Sequence, residues 1–481
     1  MGSLRLCGLL LVALQLFCML TSPPTIMVAA KPTTTFDYGD ALDKSLLFFE
    51  AQRSGYLPGN QRVKWRADSG LKDGFSEQVD LVGGYYDAGD HVKFGLPMAY
   101  SVTLISWAAV DFRSEVVAAN QMDHTLQAIR WGTDYFVKHI VGDGEEDHSC
   151  WQRAEEMTTS RKASKLDSGH PGSDVAAETA AALAAASLAF KPYNSSYSTL
   201  LRHAKEIRLE ASMMIHIRMQ KRSIHHQGTR LDELLWAAAW LYRATNNNYY
   251  LQYASYNAAE FGGTGNVSKC SHGTINMPVL LDGDGKKYNE TLKQYKEKAD
   301  YLLVLICRRT MGTMFAKTPV LIFHLMLASG GLVFLMAWSN MQYAASASFL
   351  LAIYSDYLAT SGSVLIVLME KFSLKNSLTL LSHRLIIYSV KNPESMSYLI
   401  GYGTKYPQKA HHRGSSMPSV SVLSSKLGCV QGFEEWYKKS DPNPNILHGA
   451  LIGGPDSSDC YTDDRDNYDK VNLLLPLQLL L

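Results

Sequence analysis

The spacing of apolar residues along the chain predicts a helix that begins close to Asp40. We predict Asp40 as the N-cap, and Leu42, Leu46 and Phe49 recur at intervals that place them on one helical face. Gly55 follows the last apolar position and ends the helix, because glycine is common just beyond helix C-termini.

Two later segments carry stronger helical patterns. Segment 173–190 is almost entirely alanine, and Ser173 or Asp174 is its predicted N-cap. Segment 232–245 places three apolar residues on one face: Leu234, Ala238 and Leu241. No strand–helix alternation or regular spacing of short strands is present. The pattern therefore predicts one all-α domain with functional loops at one end.

Residues 1–30 have the pattern of a secretory signal. Arg5 supplies the positive start, Leu9 to Leu20 form an apolar run, and small residues follow at 28–30. This run is short for a bilayer span. We therefore predict a secreted, extracellular or cell-wall protein whose domain occupies residues 31–481. Three N-x-Ser/Thr acceptors are consistent with that route: Asn194, Asn266 and Asn289.

A second apolar run, from Pro319 to Trp338, contains no formally charged residue and suggests a transmembrane helix. Gly330, Gly331 and His324 fit such a helix poorly. We therefore expect no membrane association, and we predict a monomer.

Composition narrows the function classes. The formal net charge of +1 over 481 residues gives no basic surface for nucleic acid. The 26 tyrosines suit a neutral, hydroxyl-rich ligand, although they suit an ordinary secreted protein as well. Of seven cysteines, Cys7 and Cys18 lie in the signal, and the odd remainder leaves at least one thiol unpaired. No metal-type spacing is present, so we predict neither metal nor cofactor.

The most informative chemistry lies between Tyr85 and Pro97. Asp87 and Asp90 stand three residues apart on a turn that contains Gly89, so both carboxylates can point to one side. Water activation needs such a pair, one carboxylate as base and a second group that holds the same water. An isolated D-x-x-D is more often a solvated turn, but the aromatic flanks and the following apolar helix favour a cleft.

Three further polar clusters follow. His148 and Trp151 could stack on a sugar ring, or Trp151 could simply anchor its loop. His411 and His412 suggest metal in general, but no third ligand follows at a useful spacing, and the adjacent Arg413 suggests hydrogen bonds to hydroxyls. The acidic loop 456–468 suggests calcium, but it lacks the EF-hand order and its terminal Glu.

In this order, the clusters resemble glycoside hydrolase family nine, the plant endo-β-1,4-glucanases. The matching stretches are Phe48 to Gly55, Tyr85 to Phe94, the His148/Trp151 loop, His170 to Asp174, His411 to Ser416 and Asp463 to Tyr468. The resemblance covers most of residues 36–206 and 394–468.

The resemblance implies an (α/α)6 barrel with a cleft at one end and inverting hydrolysis of internal β-1,4-glucosidic bonds. It implies that Asp90 is the base and that Asp87 helps to hold the water. It further implies a sugar platform of His148 and Trp151, sugar contacts from His411 and Arg413, and support of the acid end of the cleft by Asp463.

The chain departs from the family at Asn472, where the family's general acid is a Glu. An amide cannot donate a proton at a useful pKa, so the activity of this chain is in doubt. Shifting the codons of the family's Ser-Glu-Pro-Ala-Thr by one nucleotide can produce the run from Val471 to Leu475, and similar shifts fit two other places. We therefore predict out-of-frame stretches near 207–230, 262–285, 308–328, 363–390 and 471–481.

Three functions remain open at this point. The first is a secreted endoglucanase acting on cellulose and related glucans. The second is a glucan-binding pseudoenzyme, or a pseudogene product, without the acid. The third is a membrane protein anchored by residues 319–338.

Overall fold

The computed structural model describes residues 37–138, 142–143, 145–167, 170, 172–194, 197–220, 231–261, 289–310, 326–328, 332–334, 336–360, 366–367, 370–371 and 392–473. From Tyr38 onward the chain forms one compact unit. The predicted signal and Asn266 lie outside the described residues. So do the whole of 262–285, most of 363–390, and the segments 221–230, 311–325 and 474–481 of the predicted out-of-frame stretches.

Helices dominate the described chain, as the sequence pattern predicts. They are α1 (Tyr38–Ala51), α2 (Gly95–Asp111), α3 (Arg113–Ala118), α4 (Met122–Phe136), α5 (Ser173–Phe190), α6 (Tyr197–Gln220), α7 (Asp232–Thr245), α8 (Asn248–Tyr256), α9 (Asn289–Thr310), α10 (Asn340–Thr360), α11 (Arg413–Ser416), α12 (Cys429–Gln431) and α13 (Tyr468–Val471). A π-helical turn, Gly432–Tyr437, continues α12.

Strands are short and pair only locally in the described chain. Antiparallel pairs join β1 (Gly142–Asp143) to β2 (Ala163–Ser164), β3 (Met326–Leu327) to β4 (Val333–Phe334), and β5 (Ile366–Val367) to β6 (Glu370–Lys371). Their registers pair Gly142 with Ser164, Met326 with Phe334 and Ile366 with Lys371. Each strand has two residues, so the all-α class is confirmed.

Helix α5 lies at the centre of the core. It packs against α2, α6 and α7, and most of its residues are buried on every side. Alanine permits this, because a side chain of one methyl group lets helices approach closely. The predicted bounds are confirmed, but the predicted cap is wrong. Gly172 is the N-cap, without a side-chain bond, and Ser173 and Asp174 are already helical.

Helix α7 also has its predicted bounds, and Leu234, Ala238 and Leu241 are buried. In α1, Leu46 and Phe49 are buried as predicted. The helix begins at Tyr38, so Asp40 lies within the first turn and is not the N-cap. An acidic residue there still favours the helix through the helix dipole, and its side chain pairs with Lys44.

The described parts of 319–338 include the antiparallel strands β3 and β4, which are not a transmembrane helix. None of the described helices is long and apolar enough to cross a membrane. A disulfide joins Cys150 to Cys429, and among the described cysteine side chains Cys460 is exposed and unpaired.

Candidate active site

The loop from Tyr85 to Lys93 carries the two candidate carboxylates, and its own buried tyrosine side chains anchor it to the core. The Tyr85 hydroxyl donates to the Ala128 carbonyl at 2.8 Å, and the Tyr86 hydroxyl donates to Ser69 Oγ at 3.0 Å. Both tyrosines are almost fully buried, so these aromatic flanks anchor the loop and do not form a cleft surface.

Gly89 lets this loop approach the segment that carries His411 and Arg413. A Cβ at residue 89 would lie 1.9 Å from the His411 carbonyl oxygen, and the Arg413 amide donates to the Gly89 carbonyl at 2.9 Å. Gly89 is not one of the glycines with positive φ. The structural reason for glycine is therefore space between two backbones, and not the tight turn that the sequence suggested.

Asp87 and Asp90 are both 8% exposed, yet their pKa values move in opposite directions. Burial, with a smaller contribution from the Asp90 charge, raises the pKa of Asp87 to about 7. Burial also acts to raise the pKa of Asp90, but the hydrogen bond from His148 and the charge of Arg413 outweigh it and lower that pKa. The surroundings therefore favour the ionised form of Asp90 and the protonated form of Asp87.

His148 is hydrogen-bonded to Asp90. Its Nδ1 lies 2.7 Å from Asp90 Oδ2, its side chain is 54% exposed, and this hydrogen bond raises the pKa of His148. The ring of Phe94 stacks beside it, with centroids 6.4 Å apart and planes inclined by 27°. Phe94 is 38% exposed and was not a predicted site residue. Its place in the Lys93-Phe94-Gly95 exit of the loop was the only sequence signal for it.

The predicted sugar platform is wrong for Trp151. The indole is 1% exposed, and its Nε1 donates to Ser416 Oγ at 3.0 Å. The ring of Tyr437 packs against it at a centroid distance of 4.6 Å. Trp151 therefore anchors its loop, which is the alternative that the sequence left open, and the exposed stacking surface at this site is Phe94 with His148.

Arg413 is also buried, with 4% exposure. Its Nε donates to the Cys150 carbonyl at 2.6 Å and its Nη2 donates to the His148 carbonyl at 3.2 Å. The guanidinium lies over the Trp151 ring, 4.8 Å from the centroid. These nitrogens hold the 147–150 loop, so the charge of Arg413 acts on Asp90 from a fixed, buried position.

The adjacent histidines face different partners. His411 is half-buried, and its Nδ1 lies 2.9 Å from the Arg465 carbonyl, which can only accept a hydrogen bond. The neutral His411 ring therefore carries its proton on Nδ1. His412 accepts at Nδ1 from the Ser415 amide and contacts Gln52 through Nε2 at 2.9 Å. Among the described residues no group of three His, Cys, Asp or Glu side chains could hold a metal ion.

Asp463 and Asn472 lie on the segment beside His411. The Asp463 carboxylate accepts from the Gln408 amide at 2.7 Å and from the Lys409 amide at 3.1 Å, which fixes the backbone that leads to His411. The His411 amide donates to the Val471 carbonyl at 3.2 Å, so the next residue, Asn472, adjoins the site. The Asn472 side-chain oxygen accepts from the Leu473 amide at 2.9 Å.

These contacts bring Asp87, Asp90, His148, His411 and Arg413 together at one site. An ionised carboxylate beside a second carboxyl that titrates near neutrality is an arrangement that can remove a proton from water. Asn472 adjoins this site as an amide, which can accept or donate a hydrogen bond but cannot transfer a proton.

The chain is similar to known glucanases in both sequence and structure. A model of glycosyl hydrolase family 9 matches residues 38–473. The chain is 50% identical over 457 residues to Endoglucanase 5 of Arabidopsis thaliana, covering 90% of this chain and 71% of that protein. The endoglucanase of the termite Nasutitermes takasagoensis is structurally similar, with a TM-score of 0.76 at 33% identity over 93% of this chain and 97% of that chain.

The bacterial cellulase Cel9M of C. cellulolyticum in complex with cellobiose has a TM-score of 0.71 at 28% identity, over 93% of this chain and 96% of that chain. With these neighbours, the expected (α/α)6 barrel is confirmed.

Proposed function

This chain belongs to glycosyl hydrolase family 9, and from that membership we propose that it hydrolyses internal β-1,4-glucosidic bonds of cellulose and related glucans. The observation that carries the proposal is the different surroundings of two buried carboxyls on one loop: His148 Nδ1 lies 2.7 Å from Asp90 Oδ2, whereas Asp87 Oδ1 has no hydrogen-bond partner among the described protein atoms. A pair of carboxyls whose environments separate their pKa values is the arrangement that divides roles in acid–base catalysis. Similarity to a cellulase that binds cellobiose supports the substrate class.

In the proposed reaction, Asp90 is the base that accepts a proton from water as the water oxygen attacks the anomeric carbon. Asp87 holds the same water, since its buried Oδ1 has no hydrogen-bond partner among the described protein atoms. His148 keeps Asp90 ionised and, with Phe94, offers a partly exposed surface to a sugar ring. Attack from the face opposite the leaving group inverts the anomeric configuration.

The leaving-group oxygen has no proton donor in this proposed reaction. We propose that Asn472 occupies the general-acid position, so a sugar alcohol would have to depart as an unprotonated alkoxide. General-acid assistance contributes about 10²–10⁴-fold, and this chain should therefore hydrolyse unactivated glucan slowly. A glycoside whose leaving group is already a stable anion needs no such proton and should still be hydrolysed.

Two substrates test the base and the general-acid position separately. Dinitrophenyl β-cellobioside requires only the base, whereas carboxymethyl cellulose requires base and acid. We expect this chain to hydrolyse dinitrophenyl β-cellobioside. Asn472→Glu should raise the rate on carboxymethyl cellulose by about 10²–10⁴-fold and change the rate on dinitrophenyl β-cellobioside little. The sugar first released should be the α-anomer by proton NMR.

Asp90→Asn is the control, because it should abolish hydrolysis of both substrates. An equal gain on both substrates in Asn472→Glu would disprove the acid assignment. If this chain hydrolyses neither substrate but binds cellotetraose, the result would favour the glucan-binding pseudoenzyme. The Asn472 amide and the exposed Phe94–His148 stack are consistent with that function too. Sequencing the transcript across codons 460–481 decides whether Asn472 is truly encoded.

We also propose secretion to the cell wall, supported by the pattern of residues 1–30. Asn194 follows the end of α5 and is half-buried, whereas Asn289 begins α9. Secreted protein whose electrophoretic mobility increases after enzymatic removal of N-glycans would agree with this proposal. Retention of the full-length, unglycosylated chain inside the cell would refute it.

A further inference from the structure

Two neighbouring Asp–His pairs join the loop of the candidate base to the loop that contains the short 3₁₀ helix Glu145–Ser149. His148 Nδ1 lies 2.7 Å from Asp90 Oδ2, and His91 Nδ1 lies 3.2 Å from Asp147 Oδ2. Asp90 and His91 are consecutive on one loop, and Asp147 and His148 are consecutive on the other. The pairs are therefore crossed, since each loop contributes one carboxylate and one imidazole.

The Asp147 pair is the buried one. The Asp147 side chain is 1% exposed, and the hydrogen bond that Oδ2 accepts from His91 comes from the backbone amide at 2.8 Å, while the imidazole Nδ1 at 3.2 Å is an ion-pair contact. Its Oδ1 accepts from Thr159 Oγ1 at 3.3 Å, and Arg413 Nε lies 3.8 Å from Oδ2. A buried carboxylate with several such partners is rigidly placed, because movement would leave its charge uncompensated.

The Asp90–His148 pair has much less support of its own. The His148 side chain is 54% exposed, so its position depends on its backbone and on the ring of Phe94. That backbone is held on both sides, because Arg413 Nη2 donates to the carbonyls of Asp147 at 3.3 Å and His148 at 3.2 Å.

We propose that Asp147 is a positioning residue, which clamps the two loops through His91 so that His148 stays against the base Asp90. This inference rests on the proposed function of Asp90. Asp147 itself does not contact Asp90, and it acts through the neighbouring residue on each loop. Misplacement of a catalytic group by about 1 Å can reduce the rate about 10²-fold, so a clamp of this kind has a measurable effect.

The proposal is tested with Asp147→Asn, which keeps the shape and removes the charge. The readout is kcat/KM for dinitrophenyl β-cellobioside against pH, which reports the pKa values of the free enzyme. With His148 loosened, Asp90 loses a partner that lowers its pKa, so the acidic limb should move up by about 1 pH unit. The other groups that face Asp90, namely Asp87, His411 and Arg413, are unchanged in this variant.

A double-mutant cycle shows whether Asp147 acts through His148. His148→Gln should give the same shift, and Asp147→Asn combined with His148→Gln should shift the limb no further than His148→Gln alone. Glu156→Gln is the matched control, because Glu156 also forms an ion pair with a buried arginine, Arg153, at 2.6 Å and contacts neither loop pair. The acidic limb of its kcat/KM profile should lie at the same pH as that of the parent protein.

A second variant and a second measurement protect the test from failures of folding or activity. His91→Gln removes the other member of the buried pair and should give the same shift, with folding checked by circular dichroism. NMR titration of the His148 imidazole needs no turnover, and its pKa should fall towards the ordinary value in His91→Gln, which keeps the Asp147 charge that itself raises the pKa of His148.

If the parent lacks turnover, the proposed function fails while the titration still tests the clamp. An unchanged acidic limb in folded Asp147→Asn, together with an unchanged His148 titration in folded His91→Gln, would overturn the proposal. Unfolding of both Asp147→Asn and His91→Gln, with Glu156→Gln folded, would assign Asp147 to the scaffold alone.

Discussion

A buried carboxyl in the barrel core should make the stability of this protein depend on pH. Glu178 on α5 is 1% exposed, and its Oε1 accepts from Thr103 Oγ1 at 3.0 Å and from Trp236 Nε1 at 3.1 Å. It is also hydrogen-bonded to Glu233 of α7, which acts to lower the pKa of Glu178. Burial, the largest cause, raises the pKa of Glu178 from 4.5 to about 7.

The sign and size of the effect follow from this shift. A carboxyl whose pKa is higher in the folded state stabilises the fold fully below about pH 4.5, and this stability is lost as pH rises through about 7. A difference of about 2.5 pKa units corresponds to about 3 kcal/mol of unfolding free energy at neutral pH and above. Glu178→Gln keeps the Oε1 acceptor and removes the titrating group, so it should remove this loss.

The assay is urea unfolding followed by circular dichroism at several pH values between 4.5 and 8. We expect the difference in unfolding free energy between Glu178→Gln and the parent to rise by about 3 kcal/mol across that range. Glu434→Gln, an exposed glutamate paired with Lys438, is the control and should give a nearly constant difference. Parallel curves for Glu178→Gln and the parent would refute the argument.

Two other substitutions test how the loops of the site are held. Gly89→Ala would place a Cβ 1.9 Å from the carbonyl oxygen of His411, so it should destabilise the fold by about 1–3 kcal/mol and lower kcat/KM for dinitrophenyl β-cellobioside. Replacing Cys150 and Cys429 by serine opens a link between residues 279 apart and should reduce the unfolding free energy by about 2–5 kcal/mol, measured by urea unfolding.

Each of these substitutions has a matched control. Gly59→Ala adds the same methyl group where no atom lies within 4 Å, and it should leave stability and activity nearly unchanged. Cys460→Ser changes an exposed, unpaired thiol and should do the same. Unaltered activity in Gly89→Ala, or equal stability of the double-serine protein and its parent, would show that these contacts do not hold the loops as described.

The sequence by itself determined the helices with long, uninterrupted apolar patterns. The bounds of α5 and α7 agree with prediction because their patterns are local and their burial is strong. The helix starts were less certain, since Gly172 and not Ser173 caps α5. Capping depends on the backbone conformation of a single residue, which composition does not specify.

The sequence also located the candidate chemistry at Asp87, Asp90, His148 and His411, which the fold brings to one site. It could not decide the role of Trp151, because the contacts that bury this ring come from Ser416 and Tyr437, more than 260 residues along the chain.

The family resemblance gave the two aspartates of the D-x-x-D motif different roles, but only the tertiary structure shows a physical difference between them. Along the sequence they are equivalent acids on one loop, and both are buried to the same extent in the fold. His148 from one segment and Arg413 from another approach Asp90, and burial without comparable compensation leaves Asp87 with a pKa of about 7. Proton affinity in a buried site depends on the distances to neighbouring charges and hydrogen-bond donors, and those distances are set by the packing of loops that are remote in sequence.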